Sequence, residues 1–280
     1  MHNTRKIERI ITGTRTTDSD GVHLTRVIGT PVLNMLDPFL LFDVFGSEEA
    51  SDYIGGFPAH PHRGFETVTY MLAGKMRHKD SAENVGVIEE GGVQWMSAGK
   101  GVIHSEMPEQ EEGLLAGFQL WVNLPAAHKM DKPQYQEYSQ SEIPEERRGK
   151  SCRLKVIAGE TSRGTRGIIK NDCVNPVFWD IHLEENAQFS DFVPESHHAF
   201  IYMIDGELII GNSDKSLKPA QLAILSSAEQ IAVVAQTDCR FLIISGQPIN
   251  ESVARGGPFV MNTQEEIKQA FSDYQSGQLV

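Results

Sequence analysis

Short apolar runs set off by glycine and proline dominate the chain. Strand-like runs fall at Thr67–Leu72, Gly117–Leu124, Arg153–Ile157, Val177–Leu183, Phe200–Ile204, Glu207–Ile210, Gln221–Leu225, Ile231–Val234 and Arg240–Ser245. Many short strands separated by turn residues predict a β-sandwich or β-barrel. Helical spacing is convincing only at the C-terminus. There Thr263 and Glu266 have the spacing of a capping box. Ile267, Ala270, Phe271 and Tyr274 follow at i, i+3, i+4 and i+7, and Gly277 stands where a helix would stop.

Residues 126–150 are polar, with mixed charge, and Pro125, Pro133 and Pro144 punctuate the region. They read as a connector between an N-terminal domain, 1–125, and a C-terminal domain, 151–280. The two parts echo each other. Tyr70-Met71-x-x-Gly74 returns as Tyr202-Met203-x-x-Gly206, an offset of 132 residues. This predicts a duplicated β-domain.

Composition narrows the partners. The chain has 280 residues, with 25 Lys+Arg against 38 Asp+Glu, a net charge of −13. That balance repels phosphate backbones and disfavours direct nucleic-acid binding. No apolar run reaches the roughly 18 residues of a membrane span. The polar N-terminus lacks a signal-peptide pattern, so a soluble cytoplasmic protein is expected. Cys152, Cys173 and Cys239 form no Cys-x-x-Cys, which excludes a zinc ribbon and points to reduced thiols.

His60-Pro61-His62 is the first feature with chemistry in it. Residues two apart on a strand share a face. On an unbroken strand, His60, His62, Glu66, Val68, Tyr70 and Leu72 would all point into a barrel. His104 and Glu106 are again two apart, after Gly99-Lys100-Gly101, and could close a site from an opposing strand. Three imidazoles and a carboxylate suit a first-row divalent metal such as Fe(II), with Mn, Co, Ni or Cu as alternatives. The bland readings are loop histidines at 60 and 62, a core histidine at 104 and a solvated Glu106. Glu66 reads equally as a ligand or as a hydrogen-bond partner of one. Gly99-Lys100-Gly101 is not a P-loop, and no Gly-x-Ser-x-Gly occurs. His197 and His198 are adjacent, so on a strand they would face opposite sides.

These blocks resemble the two cupin motifs. Glu66 follows His62 after three residues, and Gly101-Val-Ile-His104 matches the end of the second motif. Gly99 stands where that motif usually has proline. The match is closer to the pirin family, over Gly56–Tyr70, Gln94–Pro108, Gly117–Leu124, Gly257–Thr263, Glu265–Ile267 and Asp273–Gly277. The resemblance spans the chain. It implies an all-β bicupin, two cupin-type β-barrels packed together with a short C-terminal helix. It further implies one metal, in the N-terminal barrel, held by His60, His62, His104 and Glu106. Glu66, a ligand in cupins generally, would then support the ligands from behind. The C-terminal barrel would lack ligands, since His60 and His62 correspond to Phe192 and Pro194 at the offset of 132.

Several pirins are similar to quercetin 2,3-dioxygenases in activity. The resemblance therefore implies an iron-dependent dioxygenase acting on a flavonol such as quercetin or another enol-bearing aromatic, with Glu106 also able to accept the substrate proton. Position and parity would put Phe57 and Met96 at an apolar mouth and Gln119 within hydrogen-bonding reach of substrate, with core packing the bland reading for each. Manganese, cobalt, nickel, copper or zinc could replace iron in a purified sample. The alternative is a non-catalytic regulator in which the oxidation state of the same iron controls binding to a protein partner. A cupin isomerase or sugar-binding protein has no supporting motif.

Overall fold

The computed structural model describes residues 3–280; Met1 and His2, the start of the polar N-terminal stretch, lie outside the described residues. All the strand-like runs named above fall on strands, six of the nine longer by one to three residues. The C-terminal helix spans Gln264–Gln275 with both halves of the Thr263–Glu266 capping box formed.

The strands form two barrels of the same plan. In the first, a seven-stranded antiparallel sheet runs Gln134–Tyr138, Val93–Ser97, Phe65–Ala73, Leu115–Asn123, Phe39–Ser47, Val22–Ile28 and Thr14–Asp18. A four-stranded sheet in the order Phe57–His62, Val102–Pro108, Met76–Asp80, Val85–Ile88 faces it. In the second, the seven strands are Ile7–Thr12, Gln221–Leu225, His198–Asp205, Cys239–Gly246, Val177–Leu183, Cys152–Ala158 and Glu145–Arg148. Its smaller sheet is Gln188–Phe192, Gln230–Ala235, Leu208–Ile210 and Ser216–Leu217. Phe65–Ala73 and His198–Asp205 occupy the same place in the two orders, as the Tyr-Met-x-x-Gly echo predicts.

The partition along the chain differs from the expected contiguous halves. One compact unit comprises the chain up to Gly13, Leu36–Pro38 and Ser141–Pro248; the other comprises Thr14–Met35, Phe39–Gln140 and Ile249–Val280. The reason is edge pairing. Ile7–Thr12 pairs with Gln221–Leu225 and so completes the second barrel. The expected connector is itself structured. Gln134–Tyr138 pairs with Val93–Ser97 in the first barrel, and Glu145–Arg148 pairs with Cys152–Ala158 in the second. Edge strands leave one face and one backbone edge to solvent, so polar sequences serve there.

The second barrel is filled. Trp179, Phe189, Ile201, Met203, Phe241 and Ile243, each at most 2% exposed, belong to one continuous apolar cluster. The first barrel divides its core, with one cluster at one end around Leu24, Phe45, Tyr53, Met71, Met76, Ile88 and Leu115 and smaller ones around Phe65 and Met96. Polar side chains lie between them. Among the described residues no helix is long and apolar enough to cross a membrane.

Candidate metal centre

The expected unbroken strand through His60 and Tyr70 does not exist. Phe57–His62 lies in the four-stranded sheet and Phe65–Ala73 in the seven-stranded one. The chain turns between them at Gly64, whose φ is +85°. A Cβ there would lie 2.1 Å from the Val260 carbonyl oxygen, so only glycine fits. The turn resets the parity. On the second strand the odd positions, Thr67, Thr69 and Met71, look into the barrel, and Glu66, Val68 and Tyr70 look out.

Antiparallel register builds the cluster. His104 pairs with His60, and Val102 pairs with His62. One ring nitrogen from each of His60, His62 and His104 comes within 4.8 Å of the others. The ring centroids are 4.5 to 5.0 Å apart. His60 Nδ1 donates to the Pro58 carbonyl at 2.7 Å and His62 Nδ1 to the Pro258 carbonyl at 3.3 Å. Carbonyls only accept, so these contacts place the ring protons on Nδ1 and leave both Nε2 lone pairs bare. The two Nε2 atoms face each other at 3.0 Å. Neither His104 nitrogen has a hydrogen-bond partner, although the residue is 2% exposed. Burial, reinforced by His60, lowers the His62 pKa to about 3. Burial, with His62, His60 and His78 nearby, also pushes His104 well below its ordinary value. Mutually facing imidazoles with unused lone pairs, two of them buried and held neutral, fit a bound transition metal.

Glu106 is buried on the same strand, one inward position beyond His104, but its carboxylate is not in the three-histidine group. Thr69 Oγ1 lies 2.9 Å from Glu106 Oε1 and 2.7 Å from Gln119 Oε1; Gln119 Nε2 lies 3.4 Å from Glu106 Oε2. Cross-strand partners share a face. The register therefore lines up Glu137, Gln94, Thr69, Gln119, Asp43 and Arg26 across six strands. On the opposite sheet Glu106 pairs with His78. His78 Nε2 meets Glu137 Oε2 at 2.5 Å, and Gln94 Nε2 donates to the same oxygen at 2.7 Å. His78, then Gln94, hold the Glu137 carboxylate below its ordinary pKa. A polar girdle thus separates the imidazoles from the apolar plug.

One expectation is corrected, and two residues follow their core-packing reading. Glu66 accepts from Trp95 Nε1 at 2.9 Å on the outward face, away from Thr67 and Thr69. Met96 is fully buried in a small apolar cluster with Ala98 and Val102. Phe57 packs against the plug. The ring beside the imidazoles is Trp121, 5.3 Å from His62, with Phe65 against both. Gln119 does reach the site, through Glu106. His197 and His198 take no part: one contacts Ser245 Oγ, the other the Asp37 carbonyl.

Sequence reasoning missed Thr69, His78, Glu137 and Pro258. His78 had a local signal, the buried-exposed alternation of Met76, His78 and Asp80. Pro258 and Glu137 reach the site only through long-range folding.

Two cupin barrels, one with a three-histidine cluster and one packed solid, make a bicupin. In the second barrel, the strand in the place of the one carrying His104 and Glu106 reads Gln-Ile-Ala-Val-Val-Ala, with no ligand among its residues. The Pirin family model matches residues 21–122, and the Pirin C-terminal cupin domain matches residues 178–280. A pirin-like protein of Caulobacter vibrioides is 47% identical over 273 residues, covering 98% of each chain. Human pirin is 39% identical over 281 residues, covering 99% of this chain and 94% of its own. A crystal structure of quercetin 2,3-dioxygenase from Acinetobacter baumannii superposes with a TM-score of 0.90 at 33% identity, covering 99% of each chain. The chain belongs to the pirin family.

Proposed function

We propose that this pirin is a metal-dependent dioxygenase acting on a flavonol such as quercetin or a similar enol-bearing aromatic. Its iron(II) would be held by His60, His62, His104 and Glu106. The observation that carries the metal is the 3.0 Å approach of two Nε2 lone pairs, which repel unless a cation or proton lies between them. Burial disfavours a proton on His62, whose pKa is lowered to about 3. The substrate class rests on the likeness to the quercetin 2,3-dioxygenase.

When bound, the metal supplies a Lewis acid and a redox centre for reaction with O2. The protein supplies the rest. Carbonyls of Pro58 and Pro258 fix the tautomer and rotation of two imidazoles. Thr69 and Gln119 keep the Glu106 carboxylate oriented. Glu106 then accepts the proton of the substrate enol at a carboxylate oxygen. Trp121 and Phe65 give an aromatic substrate an apolar wall, and the plug excludes water from the far end of the barrel.

The test is oxygen uptake. The protein is loaded anaerobically with Fe(II), mixed with quercetin and exposed to O2, with His104→Ala as control. Metal-dependent uptake with ring-cleaved product and carbon monoxide is expected. No uptake by fully metallated protein would refute flavonol cleavage.

A further inference from the structure

The chain beyond the second barrel returns to the first and grips both metal-bearing blocks. Its hairpin, Ala254–Gly256 with Phe259–Met261, lies against the His62–Gly64 turn. Pro258 O accepts from His62 Nδ1 at 3.3 Å, and Val260 N donates to Arg63 O at 3.0 Å. Near the C-terminus, Leu279 O sits 2.3 Å from where a Gly101 Cβ would be, just before His104. Ile103 packs on a cluster formed by Ala254, Phe259, Met261, Ile267, Ala270 and Leu279. One side chain joins these pieces. Arg63 donates from Nε to the Lys100 carbonyl and from Nη1 to Asp273 Oδ2 on the helix, the latter at 2.6 Å. The arginine side chain is 5% exposed and the aspartate 18%.

We propose that residues 254–280 are a clasp that positions His62 and the His104 loop for metal, and that the Arg63–Asp273 ion pair is its lock. The proposal rests on the metal-centre reading. An acceptor behind a ligating histidine sets the ring's angle and basicity, and loss of such a partner lowers metal affinity about 10- to 100-fold. Here the acceptor is a backbone carbonyl on a separate segment. It stays in place only while the segment is held, and a planar guanidinium bridging two acceptors holds it more rigidly than a point charge would. Asp273 is thus a positioning residue that touches neither ligand nor substrate.

Cobalt(II) is the probe. The full-length protein is titrated anaerobically, reading dissociation constant and visible ligand-field bands for wild type, Asp273→Asn, Asp273→Glu and Arg63→Lys. Wild type is expected to take one equivalent. Asp273→Asn and Arg63→Lys should bind about 10-fold more weakly with shifted bands. Asp273→Glu, which keeps the carboxylate, should restore most of both. Circular dichroism should be the same for all. A purely structural role would lower the melting temperature and leave the bands of bound cobalt unchanged, and that result overturns the clasp. Equal affinity and bands in wild type and Asp273→Asn overturn it too. Failure of wild type to bind cobalt would instead bring down the metal centre, and the clasp with it. If Asp273→Asn does not fold, Arg63→Lys decides by the same readings.

Discussion

Replacing Lys129 with methionine should destabilise the first barrel, and the loss should grow with pH. Lys129 is 1% exposed, and its ammonium donates to Gly64 O at 2.6 Å, Asn123 Oδ1 at 2.7 Å and Val260 O at 3.0 Å. Methionine keeps the stem and removes the donors. An orphaned buried acceptor costs about 1–3 kcal/mol, so three cost about 6 kcal/mol at mid-range. Burial lowers the lysine pKa from 10.5 to about 8. That drop is worth about 3 kcal/mol against the folded cation, which methionine returns. The expected net loss at pH 7 is therefore about 3 kcal/mol. The sign of the pH dependence follows from the lowered pKa of a base. Below pH 8 both folded and unfolded chains carry the proton, and the fold bears the whole penalty. As pH rises through 8 the folded protein releases its proton first, and the penalty is gone above 10.5. Wild type should gain about 2 kcal/mol between pH 7 and pH 10 relative to Lys129→Met. Urea unfolding of both proteins at the two pH values, followed by tryptophan fluorescence, measures the difference. A gap that does not change with pH would refute the buried cation. A gap under about 1 kcal/mol at pH 7 would refute the claim that three oxygens depend on it.

His62→Ala should lose metal, measured by elemental analysis after loading, while far-ultraviolet circular dichroism stays native; full occupancy would contradict the ligand assignment. Thr69→Val removes the hydroxyl that contacts Glu106 and Gln119 without changing shape. It should lower metal affinity or kcat/KM about 10-fold, and wild-type values for both would show that the hydroxyl does not position Glu106. Arg5, fully buried, donates to carbonyls of Pro194, His197 and Ser226 at 2.7 to 3.0 Å. Arg5→Met should destabilise the second barrel in urea, by about 1–3 kcal/mol for each carbonyl orphaned less the cost of burying the cation, and leave metal content unchanged; metal loss would mean that the two sites are coupled.

Much of the fold was legible because it rests on local periodicity. The Tyr-Met-x-x-Gly echo marks equivalent central strands, and the Thr263–Glu266 pair starts the helix where the spacing places it. The three clustered histidines follow from two alternating pairs on neighbouring strands. What stayed hidden depended on one backbone angle or on distant chain. Gly64 at φ +85° turns the chain from one sheet into the other, and that single residue inverts the faces assigned to Glu66 and Thr69. The polar sequence Gln134–Tyr138 looks like a linker because an edge strand needs little apolar surface. Nothing near His62 announces Pro258, which is 196 residues away.

The swapped edges also set an order of assembly. The strand Ile7–Thr12 leaves the ribosome before anything it pairs with, and its partner Gln221–Leu225 comes more than two hundred residues later. The first barrel can pair its own strands much earlier, but Pro258, Asp273 and Leu279 follow the whole of the second barrel along the chain. Domains generally form as units during synthesis, N-terminal first. In this chain the N-terminal barrel acquires its His62 acceptor and its Arg63 anchor only after the segments of the second barrel have been made. Maturation of the metal centre is therefore a late step: until residues 258–273 emerge, His62 lacks its carbonyl acceptor and Arg63 its aspartate.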